Sequence, residues 1–237
     1  MQTINLRIDK YENYFVNESF KTLRTNLQFC GPEYKVINIT SCDAHEGKTT
    51  ISLMLAKALS DINKKVIYVD CDLRKSVISS DYSDARGARG MSEYLSGIAT
   101  KEEIIISTQF ENFDIIVSGP HCPNPVELMM RDEFTELLNS LKEEYDYVIV
   151  DTPPLGLVID SAVIAKYCDA AVMVISAGRV KIRQAKSTKA QLEKSGCKIL
   201  GAVLNFADKR GDSYYKKYYK KTYGKGYYKN YYDGGNA

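Results

Sequence analysis

The sequence predicts an α/β fold of three layers, with helices on both sides of a mostly parallel central sheet. The first observation is a set of six short runs of nearly unbroken Val and Ile character: KVINIT (35–40), KVIYVD (65–70), FDIIVS (113–118), YVIVD (147–151), AAVMVIS (170–176) and ILGAVLN (199–205). Runs that do not alternate with polar residues are strands buried on both faces, and such strands pair in parallel beneath helical cover. The second observation is that helix-length stretches carrying apolar residues at helical spacing lie between these runs: ISLMLAKALSDIN, PVELMMRDEFTELLNSLKEE and KIRQAKSTKAQLEKSG. The third is bulk: 237 residues at 44% apolar content supply one large packed domain with appendages.

In chain order, residues 1–33 form an N-terminal segment in which NESFKTLRTNLQF places Phe20, Leu23 and Leu27 on one stripe of a separate helix. Residues 34–210 hold the six strands and form the main domain. Within it, 76–97 is polar and punctuated by glycine, and is expected to be a long loop near the ligand face. Residues 211–237 form a tail.

Charge and cysteine usage exclude several classes. The formal net charge is +2, and the tail's six lysines against Asp233 account for more than that excess, so a basic nucleic-acid-binding face across the main domain is not favoured. The six cysteines, Cys30, Cys42, Cys71, Cys122, Cys168 and Cys197, show no CxxC or Cys/His ligand spacing. A reduced cytoplasm suits them better than a disulfide framework or a zinc site. The first residues, MQTINLRIDKYENY, lack the apolar stretch of a signal peptide, and no run reaches the length of a membrane span.

After the first strand comes Ser41-Cys42-Asp43-Ala44-His45-Glu46-Gly47-Lys48-Thr49-Thr50, and then a helix. A strand, a loop ending Gly-Lys-Thr and a helix N-terminus form a cradle in which backbone N–H groups and the helix dipole hold phosphates, so the fold is read as P-loop NTPase-like. Residues Asp43, Ala44, His45, Glu46, Gly47, Lys48, Thr49 and Thr50 are the predicted nucleotide contacts, with Lys48 on the β- and γ-phosphates and the Thr49 hydroxyl on Mg²⁺. Cys42 replaces the usual first glycine of the pattern. His45 stands where glycine is easiest if φ is positive, although His tolerates that region better than bulky residues do.

Asp70 and Asp72 close the second run, and Asp151 closes the fourth. The carboxyl ends of strands in an open α/β sheet face the ligand crevice, so all three carboxylates are expected to point toward Lys48, with a metal ion as the simplest use. For Asp151 taken alone, a helix cap or plain loop residue is an equal alternative.

Nine of the eighteen tyrosines fall in the last segment, YYKKYYKKTYGKGYYKNYYDGGNA, which has no Val, Ile, Leu or Met to offset the entropy of ordering. A solvent-exposed, disordered tail is expected. Taken alone, it fits three uses: hydroxyls for a phosphoryl donor on the same chain, lysines and rings for nucleic acid, or solubilising disorder.

SCDAHEGKTT, VIYVDCDLR and YVIVDTPP, in that order and with this tail, resemble the bacterial protein-tyrosine kinases (BY-kinases) of capsule and exopolysaccharide assembly, in their cytoplasmic kinase-domain form. NESFKTLRTNLQF, SGPHCPNPVELM (118–129) and VIDSAVIAKYCDA (158–170) extend the likeness over nearly the whole chain. The resemblance implies ATP- and Mg²⁺-dependent autophosphorylation of Tyr214, Tyr215, Tyr218, Tyr219, Tyr223, Tyr227, Tyr228, Tyr231 and Tyr232. It also implies a membrane-anchored polysaccharide co-polymerase as activator, a cognate phosphotyrosine phosphatase, no nucleic-acid partner, and a location at the inner face of the cell membrane through a partner. A homo-oligomer, a ring, is expected, with Glu18, Lys21 and Arg24 at its interface. The family carries arginine where Lys21 stands, and Lys21 lacks the planar fork. Proline and glycine are usual at Ala44 and His45.

In the mechanism that the resemblance implies, Lys48 and the phosphate loop hold ATP, and Thr49, Asp72 and Asp151 support the metal. Asp70 orients or deprotonates the tyrosine hydroxyl, whose unperturbed pKa near ~10 calls for such help. Asn205 is a candidate for adenine contact, with capping of its own loop an equal alternative. Two rivals share the layout. One is a partitioning-type ATPase switch, although its usual extra lysine early in the loop is replaced by Ser41, Cys42 and Asp43. The other is a weakly active scaffold for a membrane polysaccharide regulator.

Overall fold

The computed structural model describes residues 3–8, 14–85 and 87–207, so the tyrosine cluster from Tyr214 to Tyr232 lies outside the described residues. The elements in order are β1 (Thr3–Ile4), α1 (Tyr14–Cys30), β2 (Val36–Ser41), α2 (Lys48–Ser60), β3 (Val66–Asp70), α3 (Met91–Leu95), α4 (Lys101–Ile104), β4 (Ile106–Thr108), β5 (Phe113–Ile116), α5 (Pro125–Met129), α6 (Asp132–Glu144), β6 (Tyr147–Asp151), α7 (Asp160–Ala165), β7 (Ala170–Ser176), α8 (Ile182–Glu193) and β8 (Lys198–Asn205). The strands form one sheet in the order β1-β4-β5-β3-β6-β2-β7-β8. Every neighbouring pair is parallel except β4 with β5.

The central strands β2, β3 and β6 are buried along their whole length, as their unbroken Val and Ile character requires. On one face, Ile37, Ile39, Tyr68 and Ile149 pack with Leu53, Leu55 and Leu59 of α2 and Phe20 and Leu27 of α1. On the other, Ile67, Val69, Val148 and Val150 pack with Phe134, Leu137, Leu138 and Leu141 of α6. Three layers result, and the phosphate loop between β2 and α2 lies at the carboxyl end of the sheet.

The structure corrects the sequence expectations in several places. PVELMMRDEFTELLNSLKEE is two helices, because Arg131 takes an extended conformation between α5 and α6 and its guanidinium reaches the Leu95 carbonyl at 2.6 Å. The segment 76–97 is not simply a loop: it contains a wide helical turn at Ile78–Tyr82 and the helix α3. There the Glu93 carboxylate returns to cap the Gly90 N–H at 2.9 Å. The two strands not foreseen, β1 and β4, lie at one edge of the sheet. The helix α1 is not separate: it packs on α2, and Arg24 donates to the Ala58 carbonyl at 2.7 Å, near the α2 C-terminus where a cation is favoured. No helix among the described residues is long and apolar enough to cross a membrane.

Candidate active site

The loop from Ser41 to Lys48 turns back on itself through two left-handed residues, His45 at φ 60° and Gly47 at φ 82°. Histidine thus does occupy the strained position that glycine would relieve. At position 47 glycine is required twice over, since a Cβ there would strike the side-chain amide of Asn205. Two contacts fix the loop. From within, the buried Glu46 carboxylate accepts the Cys42 N–H on Oε2 at 3.0 Å, while its Oε1 has no partner among the described residues and burial raises its pKa. From the far side of the loop, Asn205 at the end of β8 donates its amide to the Glu46 carbonyl at 2.9 Å.

Asp151 is the hub of the site. It ends β6, directly beside Asp70 of β3 in the parallel register, and is 1% exposed. Its Oδ1 accepts Lys48 Nζ at 3.1 Å and Ser52 Oγ at 3.4 Å, and its Oδ2 accepts Thr49 Oγ1 at 2.7 Å and Tyr68 Oη at 2.8 Å. Lys48, Thr49 and Ser52 lie on one face of the first turns of α2, which turns that face toward Asp151.

The other two carboxylates part company. A cavity of about 370 Å³ opens over the loop, walled by residues that include Asp43, His45, Lys48, Thr49, Asp72 and Arg74. Asp72 thus faces the space in front of Lys48, with its Oδ1 also taking the Lys75 N–H at 2.9 Å. Asp70 lies behind that wall, 1% exposed, with Oδ1 on the Asp72 N–H at 3.1 Å and Oδ2 accepting the Ser76 hydroxyl. Burial, and then the neighbouring Asp151 charge, push its pKa up to about 7. Arg74 is directed at Asp160 at the start of α7, Nε to Oδ1 at 2.7 Å and Nη2 to Oδ2 at 3.3 Å.

These residues suit a nucleotide with Mg²⁺. A hard cation takes oxygen ligands, and Thr49, Asp72 and Asp151 offer a hydroxyl and two carboxylates. Among the described residues no group of three or more His, Cys, Asp or Glu could hold a metal by itself. The remaining ligands of such an ion would come from phosphate oxygens and water, as is usual for magnesium.

Sequence reasoning missed Tyr68, Ser52, Ser76 and Asp160. Strand alternation carried a signal for Tyr68, two residues before Asp70 and on the same face, and helical spacing carried one for Ser52, four residues after Lys48. Nothing local connects Arg74 to Asp160. Glu18 and Lys21 pair with each other at 2.7 Å on the exposed side of α1, and Arg24 turns inward to α2.

Comparison with known proteins places this geometry. The family described as AAA domain matches residues 34–186. The tyrosine-protein kinase CpsD of Streptococcus agalactiae is 40% identical over 197 residues, 83% of this chain and 86% of that protein. The kinase domain of the Escherichia coli tyrosine kinase ETK superposes with a TM-score of 0.74 at 33% identity, covering 81% of this chain and 77% of that one. The septum site-determining protein MinD of Pyrococcus horikoshii, solved with Mg-ADP, reaches a TM-score of 0.60 at 29% identity over 72% of this chain and 69% of that one. A P-loop NTPase fold that binds nucleotide with magnesium, and close likeness to tyrosine kinases across most of its length, make the chain a member of the bacterial protein-tyrosine kinases.

Proposed function

We propose that the enzyme phosphorylates the tyrosines of its own C-terminal segment, Tyr214 to Tyr232, and regulates capsule or exopolysaccharide synthesis beside a membrane-anchored activator. One observation carries the first half: Asn205, where β8 ends, is hydrogen-bonded to the phosphate loop. Strand β8 thus ends beside the phosphate loop. Tyr214 lies nine residues beyond Asn205, a span of at most roughly 30 Å, which brings the first tyrosines within reach of a phosphoryl donor held over Lys48.

In this reading the loop amides and Lys48 hold the ATP phosphates, and Lys48 leaves Asp151 to neutralise charge that builds between the β- and γ-phosphates. The Thr49 hydroxyl, Asp72 and Asp151 hold the magnesium, which screens the phosphate oxygens when bound. Asp70 is the base: a carboxyl with a pKa of about 7 is poised to accept a phenolic proton near neutral pH. It stands behind Asp72 and Ser76 and is 1% exposed, so the segment that carries them has to move aside before a tyrosine reaches it. The activator, a phosphatase that resets the tail, and a ring-shaped homo-oligomer joined through Glu18, Lys21 and Arg24 complete the proposal, on the strength of the family resemblance.

Purified protein given γ-labelled ATP, with a membrane activator's cytoplasmic segment present, is expected to incorporate label into the tail tyrosines. Lys48→Met is expected to abolish incorporation while the thermal unfolding transition is retained. Nucleotide hydrolysis with no labelled tyrosine would instead favour a nucleotide-driven switch of the MinD kind, and full labelling by Lys48→Met would sink the assigned site.

A further inference from the structure

Asp151 has more donors than the reaction can leave it. Four side chains converge on its two oxygens, and they divide into two kinds. Lys48 and Thr49 line the cavity, where a bound nucleotide would meet them directly. Ser52 and Tyr68 are fully buried and do not line it. When phosphates arrive, Lys48 has to leave Oδ1 for them. Thr49 need not leave: its oxygen lone pair can face a cation while its O–H still points to Oδ2. Tyr68 has no freedom to follow the nucleotide, because it sits in β3 between β5 and β6 and is packed among the side chains that face α2.

We propose that Tyr68 is a positioning residue that divides the labour between the two oxygens of Asp151. Together with Thr49 it occupies Oδ2 throughout the nucleotide cycle, so that Oδ1, once Lys48 has left, is the oxygen presented to the hydrated cation. The lengths fit this division. The two bonds to Oδ2 are short, at 2.7 and 2.8 Å, while Ser52 holds Oδ1 only at 3.4 Å, a contact that a better donor readily displaces. A carboxylate carries about four acceptor sites, so without Tyr68 both oxygens would be partly free and the group could rotate. Outer partners of this kind orient a metal-supporting carboxylate without touching the metal.

The inference rests on the reading of the cavity as a magnesium-nucleotide site, and the test separates the two. Binding of a fluorescent ADP analogue is measured with and without Mg²⁺, and the Mg²⁺ midpoint is then determined for wild type, Tyr68→Phe and Ser52→Ala. Tyr68→Phe is expected to raise the midpoint by about 10- to 100-fold, the usual cost of losing an outer-shell partner, while its Mg²⁺-free ADP affinity stays within about twofold of wild type. Ser52→Ala is expected to keep the wild-type midpoint. A Tyr68→Phe midpoint equal to wild type, or a Mg²⁺-free affinity that falls as far as the Mg²⁺-bound one, overturns the assignment of Tyr68 alone. Wild type with no Mg²⁺ effect overturns the nucleotide reading and this assignment with it. A crystal structure of wild type with Mg-ADP needs no variant. Tyr68 Oη within 3.0 Å of Oδ2 with Lys48 off Oδ1 upholds the division of labour, and Tyr68 turned away, or Lys48 still on Oδ1, refutes it.

Discussion

Asp70 shows how one residue can work against the stability of its own fold. A carboxylic acid normally ionises near 3.8, yet burial and the charge of Asp151 keep this one protonated up to about pH 7 in the folded chain. Between those values the native state holds a proton that the unfolded chain has released. Stability therefore falls as pH rises across that interval, and the loss is complete once the pH passes the folded-state value. The nucleotide-free Asp70→Asn variant escapes this cost, since an amide is neutral throughout. Urea midpoints taken at intervals from pH 4.5 to 7.5 are expected to separate progressively in favour of Asp70→Asn, and then to run parallel. Parallel curves across the whole range would mean that Asp70 is ionised in the fold. The same residues show what a sequence discloses. Lys48, Thr49, Asp72 and Asp151 were legible because each belongs to a short motif whose chemistry depends on local spacing. Asp160 was not, because its partner Arg74 is 86 positions distant and only the tertiary fold brings them together.

At the scale of elements, legibility followed burial. The six runs rich in Val and Ile became β2, β3, β5, β6, β7 and β8, displaced by no more than two residues at any end. The strand β4 is three residues long, and β1 is two, both too short for any pattern to declare itself. The break between α5 and α6 falls at Met130 and Arg131, neither a helix breaker, and tertiary contact decides it. The helix α6 is the clearest amphipathic element, and Phe134 at its start is fully buried, edge-on to the Tyr167 ring at 5.7 Å between centroids. Phe134→Ala is expected to cost about 3–5 kcal/mol in chemical denaturation. Labelling per folded molecule is expected to stay near wild type, because α6 packs on the face of the sheet opposite α2. A large loss of specific activity with little loss of stability would place α6 in the catalytic apparatus.

For the whole molecule, the structure sharpens the assembly proposal by sorting the three α1 residues. Arg24 bonds to the Ala58 carbonyl of its own chain, so Arg24→Ala weakens the fold as well as any interface. Glu18 and Lys21, about half exposed, pair with each other, and such a surface pair adds little to stability. Glu18→Ala with Lys21→Ala is therefore the cleaner probe. Light scattering is expected to give an oligomeric mass for wild type and a smaller one for the double variant at equal thermal stability. Equal masses would remove both residues from any subunit contact.

The sheet order also bears on how the chain folds. The first strand in sequence is the outermost on one side, where Thr3 pairs with Ser107 of β4, while β2 lies deep in the sheet. The N-terminal strand has nothing to join until β4 and β5 have formed. Its docking closes one of the longest loops in the molecule, a non-local step of the kind that slows folding. Until then the outer edge of β4 stands open, with unpaired backbone groups that another chain could engage. A nascent or partly refolded molecule is therefore expected to be most exposed to misassembly at the edge farthest from β8, with sealing of that edge by residues 3–8 a late event in reaching the native state.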